Sequence, residues 1–262
     1  MLTIDLSGRR ALVTGSASGL GEAIAMALAK AGAQVAIHDR KDHSAAAATV
    51  AARIVAQGGK AQVFHGDISV IDEVSHLFTE VTAAFGGLDI LVNNAGIDGH
   101  SANCVDSDPA EWARVIAVDL QGAYYCSRQA LQRMLPQKKG VIINITSVHE
   151  YIPWSGYSAY TSAKAGLSMF TKSLAQEVAA NGVRVLAIAP GAIKTPINAS
   201  VWEDPTGLAD LDEKIAMGRL GDPHEIGQVV AFLASDLASY ITGTSIAVDG
   251  GMLIYPEFRH GG

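Results

Sequence analysis

A short apolar run, Arg10–Val13, leads straight into Thr14-Gly15-Ser16-Ala17-Ser18-Gly19-Leu20-Gly21. This passage from strand to loop to helix restricts the fold more than any other part of the chain. Behind it Leu20, Ile24, Ala27, Leu28 and Ala31 recur at helical spacing. The glycines follow a G-x-x-x-G-x-G pattern. Glycine lets a backbone turn tightly and approach a pyrophosphate, and a helix starting there aims free N–H groups and its positive dipole end at the anion. Gly15, Ser18, Gly19, Leu20 and Gly21 are therefore candidate dinucleotide contacts. A tight turn without a ligand is the bland alternative. Placement in the first β-α unit favours the nucleotide.

The same alternation continues along the chain. Strands are expected at Gln34–His38, Ala61–His65, Leu88–Val92, Gly140–Ile145, Val183–Ala189 and Ser245–Val248. Helices are expected at Ser44–Gln57, Val70–Phe85, about 109–135, Tyr157–Ala180 and Pro223–Ser235, the last capped by Asp222. Strands apolar throughout imply burial on both faces, hence a parallel sheet with right-handed crossovers. The predicted fold is α/β: a Rossmann-type doubly wound parallel sheet of about seven strands with helices on both faces. Residues 1–262 read as a single dinucleotide-binding catalytic domain, with a substrate loop at about 192–220.

Composition supports a buried sheet, with 49% apolar and 17% charged residues. The net charge is −7 without a Lys or Arg block, so neither nucleic acid nor a membrane is an expected partner. No apolar run reaches the roughly 18 residues a membrane span needs. Met1-Leu2-Thr3 carries no signal pattern, and Cys104 and Cys126 read as free thiols in a reducing cytoplasm. No metal site is expected.

Asp39 closes the second strand. A carboxylate there can accept both adenosine-ribose hydroxyls and repel a 2′-phosphate, which favours NAD over NADP. Arg40 beside it could hold that phosphate, so dual use stays open. Asp67 and Ile68 follow the third strand and place Asp67 near the adenine amine. Asn93-Asn94-Ala95-Gly96 follows the fourth, where ligands of open α/β sheets collect. Turn chemistry alone also accounts for such residues.

Tyr160 and Lys164 stand four apart on a helix, hence on one face, and Ser147 ends the strand before it. Alcohol oxidation needs a base for the hydroxyl proton while hydride leaves carbon. Lowering a phenol from its ordinary pKa of about 10 to near neutrality takes roughly 3–4 kcal/mol. An ammonium about 4 Å away supplies about 4 kcal/mol at an effective dielectric near 20. Lys164 alone is thus sufficient in magnitude. Ser147 can hold the substrate oxygen. The alternative is a packed Tyr, a snorkelling Lys and a capping Ser. Tyr157 has no lysine partner at helical spacing and reads as packing or pocket wall.

In order and spacing, the Thr14–Gly21 loop, Asn93–Gly96, Ser147, Tyr160/Lys164 and Pro190-Gly191 resemble the short-chain dehydrogenase/reductase family. The resemblance implies hydride transfer to NAD(P), the Ser–Tyr–Lys roles above, ribose contact by Lys164, and a homotetramer. It also implies cofactor contacts at Asn94, Ala95, Gly96, Pro190, Gly191, Ile193 and Thr195. The family's usual asparagine aligns with Asp119, in Val118-Asp119-Leu120. That aspartate either holds a proton-relay water as the asparagine does or is simply paired within its helix.

Ser147-Val148-His149-Glu150, Ile152-Pro153-Trp154, Thr195-Pro196-Ile197-Asn198 and the ending Asp249-Gly250-Gly251-Met252…Tyr255-Pro256-Glu257-Phe258 are similar to the family's glucose 1-dehydrogenases. That likeness implies sugar contacts at His149 and Asn198, a further acidic contact at Asp98, and an interface tail at about 249–262. Ser147 and Tyr160 complete the substrate set. Lys194, Arg259 and His260 would suit an anionic aldose if they face the pocket. The expected reaction is oxidation of an aldose to its lactone. The alternatives are reduction of a 3-oxoacyl thioester, turnover of another secondary alcohol or ketone, and a dinucleotide sensor without turnover.

Overall fold

The computed structural model describes residues 3–254. The expected contacts in the tail, Tyr255 through Phe258 with Arg259 and His260, lie outside the described residues. In chain order the elements are β1 (Arg10–Thr14), α1 (Gly19–Lys30), β2 (Gln34–Asp39), α2 (Ser44–Ala56), β3 (Lys60–His65), α3 (Ile71–Phe85) and β4 (Ile90–Asn93). Next come α4 (Pro109–Ile116), a π-helical segment (Ala117–Gly122), α5 (Ala123–Met134), β5 (Gly140–Ile145), α6 (Ser158–Val178) and β6 (Val183–Pro190). Last are the short α7 (Ala199–Trp202), α8 (Pro205–Glu213), α9 (Pro223–Ala234) and β7 (Ser245–Val248).

The seven strands are all parallel, in the order β3-β2-β1-β4-β5-β6-β7. Strand order reverses between β1 and β4, where Leu12 sits between Ala36 on β2 and Leu91 on β4. A crevice opens at the carboxyl ends of strands at such a reversal. Alternation along the strands feeds two cores. Ala11 and Val13 face α1, α2 and α9 with Ile24, Leu28, Ile54 and Val230. Leu12 faces α3, α5 and α6 with Leu77, Phe78, Met134 and Leu174. Each of the Val, Leu, Ile, Phe and Met side chains contributes about 1.5–3 kcal/mol on full burial.

The expected elements are present with ends moved by a residue or two, as helix fraying and strand pairing allow. Asp222 caps α9 as expected: its carboxylate accepts from the His224 amide at 2.8 Å, and Glu225 returns a bond to the Asp222 amide. One difference matters for the site. The helix expected at about 109–135 is interrupted by the wide π-helical turn that carries Asp119. Hydrophobic periodicity does not report one extra residue in a turn.

Candidate active site

The nucleotide end of the cleft is built by loops tied to one another. The Thr14 hydroxyl accepts from the amides of Asn94 (3.0 Å) and Ala95 (3.1 Å), and the Asn94 side chain donates to the carbonyls of Thr14 and Gly15, both at 2.9 Å. The β4 turn therefore fixes the glycine loop. Gly15 has φ +61°, and a Cβ there would come within 2.8 Å of the Ala95 Cα; a Cβ on Gly21 would meet the Gly15 carbonyl at 2.2 Å. Ser18 precedes α1 without a side-chain cap, so the first amides of that helix keep their donors. These features fit a dinucleotide pyrophosphate, and the residues present suit NAD(P).

Asp39 stands at the far end. One carboxylate oxygen accepts from the Ala17 amide at 3.1 Å, and the other from the Arg40 amide at 2.9 Å, with His43 Nδ1 at 2.7 Å. Arg40 is drawn into an ion pair with Asp42. Asp67 lines the cleft and accepts from the Ser69 amide and hydroxyl. Ile68 is buried beneath Gly122. His38 is buried with Nε2 at 3.1 Å from the Gly66 carbonyl, and burial pushes its pKa down to about 4.

The cleft, about 1010 Å³, runs from Asp39 to Ser147, Tyr160 and Lys164, and passes Pro190, Gly191, Ile193 and Thr195 on its other wall. Ser147 ends β5 in an extended conformation, its hydroxyl accepts from the His149 amide at 3.2 Å, and its proximity lowers the pKa of Tyr160. Lys164 projects from α6 with Nζ 5.4 Å from the Tyr160 ring centroid and donates to the Ile145 carbonyl at 3.3 Å. Its charge faces Asp119, whose Oδ2 lies 3.1 Å away, while Asp119 Oδ1 accepts from the Ile97 amide at 2.8 Å. Both side chains are buried, at 6% and 0% exposure. The Oδ2 contact is an ion pair without hydrogen-bond alignment.

The electrostatics depart from the sequence argument. Burial raises the Tyr160 pKa; Lys164 and Ser147 oppose that, while Asp98 and Asp119 add to it, and the net direction is upward. Lys164 alone would lower the phenol; desolvation and the two carboxylates outweigh it. Burial opposes the Lys164 ammonium, but Asp119, Tyr160 and Asp98 outweigh it and hold the lysine charged. Burial also raises Asp98, with Lys164 pulling the other way.

At the substrate end, His149 stacks on Trp154 and Trp154 on Tyr157. Tyr160 meets the edges of both His149 (6.2 Å) and Trp154 (6.0 Å). His149 Nδ1 lies 3.0 Å from the Ile152 carbonyl, so it carries the proton and Nε2 is an acceptor. Burial lowers the His149 pKa and keeps the ring neutral. Asn198 lines the cleft, yet its oxygen accepts from the Thr195 amide and hydroxyl and its nitrogen donates to the Ile193 carbonyl. The amide thus fastens its own loop. The Lys194 ammonium rests over the Trp202 ring at 4.7 Å, and the residue is not among those lining the cleft. Lys214, paired with Asp210 at 2.6 Å, does line it.

Sequence reasoning did not single out Thr14, Ile97, Trp154 or Lys214 as site residues. Thr14 and Trp154 carried a signal, through the Thr14–Gly21 loop and Ile152-Pro153-Trp154. Gly96 is expected as a cofactor contact in the turn after β4. Its further reason is spatial: a Cβ would come within 2.8 Å of Asp119 Oδ2 and 3.2 Å of Lys164 Nζ.

Comparison with known proteins agrees with this geometry. Residues 15–253 match the family described as "Enoyl-(Acyl carrier protein) reductase". A 3beta-hydroxysteroid dehydrogenase 1 from Eggerthella lenta is 46% identical over 98% of both chains. Glucose 1-dehydrogenase 2 from Bacillus subtilis is 38% identical over 97% of this chain and 98% of its own. A gluconate 5-dehydrogenase from Burkholderia cenocepacia, solved with NADP and tartrate, superposes with a TM-score of 0.91 at 33% identity, covering 96% of this chain and 97% of its own. The chain therefore belongs to the short-chain dehydrogenase/reductase family and is an NAD(P)-dependent oxidoreductase acting on CH–OH groups.

Proposed function

We propose that the enzyme oxidises the anomeric hydroxyl of an aldose to the lactone, with NAD as preferred acceptor. The observation that carries this reading is the pairing of an aromatic wall with polar acceptors beside Tyr160. The stack of His149, Trp154 and Tyr157 forms an aromatic wall, while His149 Nε2 and the half-buried Asp98 carboxylate offer hydroxyl partners. A pyranose presents both a C–H face and a rim of hydroxyls, and needs both kinds of contact. The glucose 1-dehydrogenase relative and the gluconate 5-dehydrogenase structure support the same class.

In this reading Tyr160 accepts the hydroxyl proton, Ser147 holds the substrate oxygen in line with it, and Lys164 stabilises the phenolate. Bound NAD(P) supplies the hydride acceptor. Gly15, Ser18, Gly19, Leu20 and Gly21 hold its pyrophosphate. Asp39 takes the adenosine ribose and Asp67 the adenine, while Arg40 stays with Asp42. Lys164 also reaches the nicotinamide ribose, and Thr195 and Ile193 flank the amide. The whole chain acts as one catalytic domain, and 192–220 supplies the substrate loop, supported by Val201, Leu211 and Lys214 along the cleft. We extend the reading to a cytoplasmic homotetramer. Free Cys104 and Cys126 support the compartment, and exposed Tyr124 and Met169 on α5 and α6 support an assembly face. No helix among the described residues is long and apolar enough to cross a membrane.

A ring alcohol on an apolar body is the second reading, favoured by the 46% identity to a hydroxysteroid dehydrogenase. A screen of NADH formation decides between them. Neutral and acidic aldoses, 3β-hydroxysteroids and cyclohexanols would be compared by kcat/KM. Aldoses leading supports the proposal, and steroids or cyclohexanols leading with aldoses inert overturns it.

A further inference from the structure

The interrupted helix puts a charge where the reaction's acid/base balance is set. The π-helical turn Ala117–Gly122 carries Asp119 inward, fully buried, between the Ile97 amide and the Lys164 ammonium. A carboxylate in that position does two separable things. Its shape and one oxygen hold the loop after β4 through Ile97. Its charge acts on Lys164 and, through space, on the Tyr160 phenol.

The charges facing this group can be counted from each element packed around it. Tyr160 and Lys164 come from α6, and Asp98 from the loop after β4. Arg114 comes from α4, where Glu111 already holds it at 2.8 Å. The turn after β5 brings neutral His149 and, beyond it, Glu150, which accepts from Ser168 and Ser245. Lys164 is thus a single ammonium between two carboxylates, Asp119 and Asp98. An amide in place of Asp119 would leave one carboxylate for one ammonium, a neutral surround for the phenol.

We propose that Asp119 is a positioning residue whose negative charge, bound to Lys164, keeps the Tyr160 phenol protonated to higher pH than an uncharged residue there would. The upward direction for Tyr160, to which both carboxylates add, agrees with this. The consequence is an enzyme whose oxidation direction strengthens on the alkaline side, while the protonated phenol that carbonyl reduction needs persists near neutrality. The inference rests on Tyr160 as the acid/base and is independent of which alcohol is oxidised.

Asp119→Asn isolates the charge, because an amide oxygen can still accept from Ile97. The phenolate of the unliganded protein is titrated by ultraviolet absorbance, and the same titration on Tyr160→Phe is subtracted to leave the Tyr160 contribution. In Asp119→Asn that contribution should move to lower pH by about one unit or more, the size a unit charge at this range exerts at an effective dielectric near 20. The acidic limb of the kcat/KM profile should move by a similar amount in the same direction. A purely structural role would lower the melting temperature and leave the titration in place. An unmoved or upward-moving titration overturns the proposal. Should Asp119→Asn fail to fold, Asp119→Ser, which also keeps an oxygen for Ile97, is held to the same criterion. Failure of the aldose screen leaves this result untouched, whereas a Tyr160→Phe enzyme with full activity removes its premise.

Discussion

The rings of His149 and Trp154 lie 4.5 Å apart and within 12° of parallel, and Tyr157 backs the stack with its centroid 3.9 Å from Trp154. The stack orients the one neutral imidazole of the substrate end, whose Nδ1 is already held by Ile152. Trp154→Ala therefore removes the centre of the aromatic wall and the support of His149. Stacked aromatic contacts of this kind are worth about 0.5–1.5 kcal/mol beyond area burial. The expected outcome is a KM for aldose raised about two- to tenfold, with kcat changed less. Steady-state kinetics over substrate concentration check it, and an unchanged KM removes Trp154 from the binding site.

Tyr160→Phe should cut kcat by about 10²–10⁴ and leave the fold intact, since general acid–base groups contribute on that scale. Lys164→Met should lose activity and stability together. It leaves buried Asp119 facing no cation, and breaking a buried pair costs about 3–5 kcal/mol. Adding Asp119→Asn to Lys164→Met should restore most of the melting temperature and none of the activity. Thermal melts beside turnover assays check this. A Lys164→Met protein as stable as the parent would show that the pair is not a buried charge pair in solution.

The fold was legible because strand–helix alternation and strands apolar on both faces are written in residue order, whereas the strand order with its reversal between β1 and β4 is set by tertiary pairing. Tyr160 and Lys164 were legible because a helix fixes their spacing, and Ser147 because it follows an apolar strand. The partner of Lys164 was not. Asp119 is 45 positions away in the chain, and its inward aim depends on a π turn that periodicity does not report. The engagement of Asn198 was hidden for a related reason: an amide that can bind a sugar can equally fasten Thr195 and Ile193, and only coordinates decide which partners are within reach.

Asp39→Ala should relax the cofactor preference. The carboxylate that would accept ribose hydroxyls and repel a 2′-phosphate is lost, and Arg40 remains nearby. Asp39 also accepts from the Ala17 amide, so the variant loosens the glycine loop from β2 and should weaken both cofactors. The ratio of kcat/KM for NAD to that for NADP is expected to fall about tenfold or more, as loss of hydrogen bonds to a charged group implies. Isothermal titration with each dinucleotide separates the ratio from the shared loss, and an unchanged ratio takes the role away from Asp39.

Gly96→Ala tests the site from the side of packing. The added Cβ would stand 2.8 Å from Asp119 Oδ2 and 3.2 Å from Lys164 Nζ, both inside normal contact distance. Neither partner has free room to withdraw, because Asp119 is tethered to Ile97 and Lys164 to Ile145. The methyl must therefore push the ammonium away from the carboxylate or shift the loop that carries Ile97 and Asp98. Overpacking of this kind costs about 1–3 kcal/mol, and a displacement of about 1 Å at a reacting group can cost about a hundredfold in rate. We expect a modest fall in melting temperature with kcat lowered about ten- to a hundredfold, while NAD affinity, set mostly by the loop at Gly15–Gly21, changes less. Turnover, calorimetry and dinucleotide titration on the one variant check all three. Normal kcat would mean that Lys164 and Asp119 tolerate separation, and with it the claim that their contact tunes Tyr160 would fall.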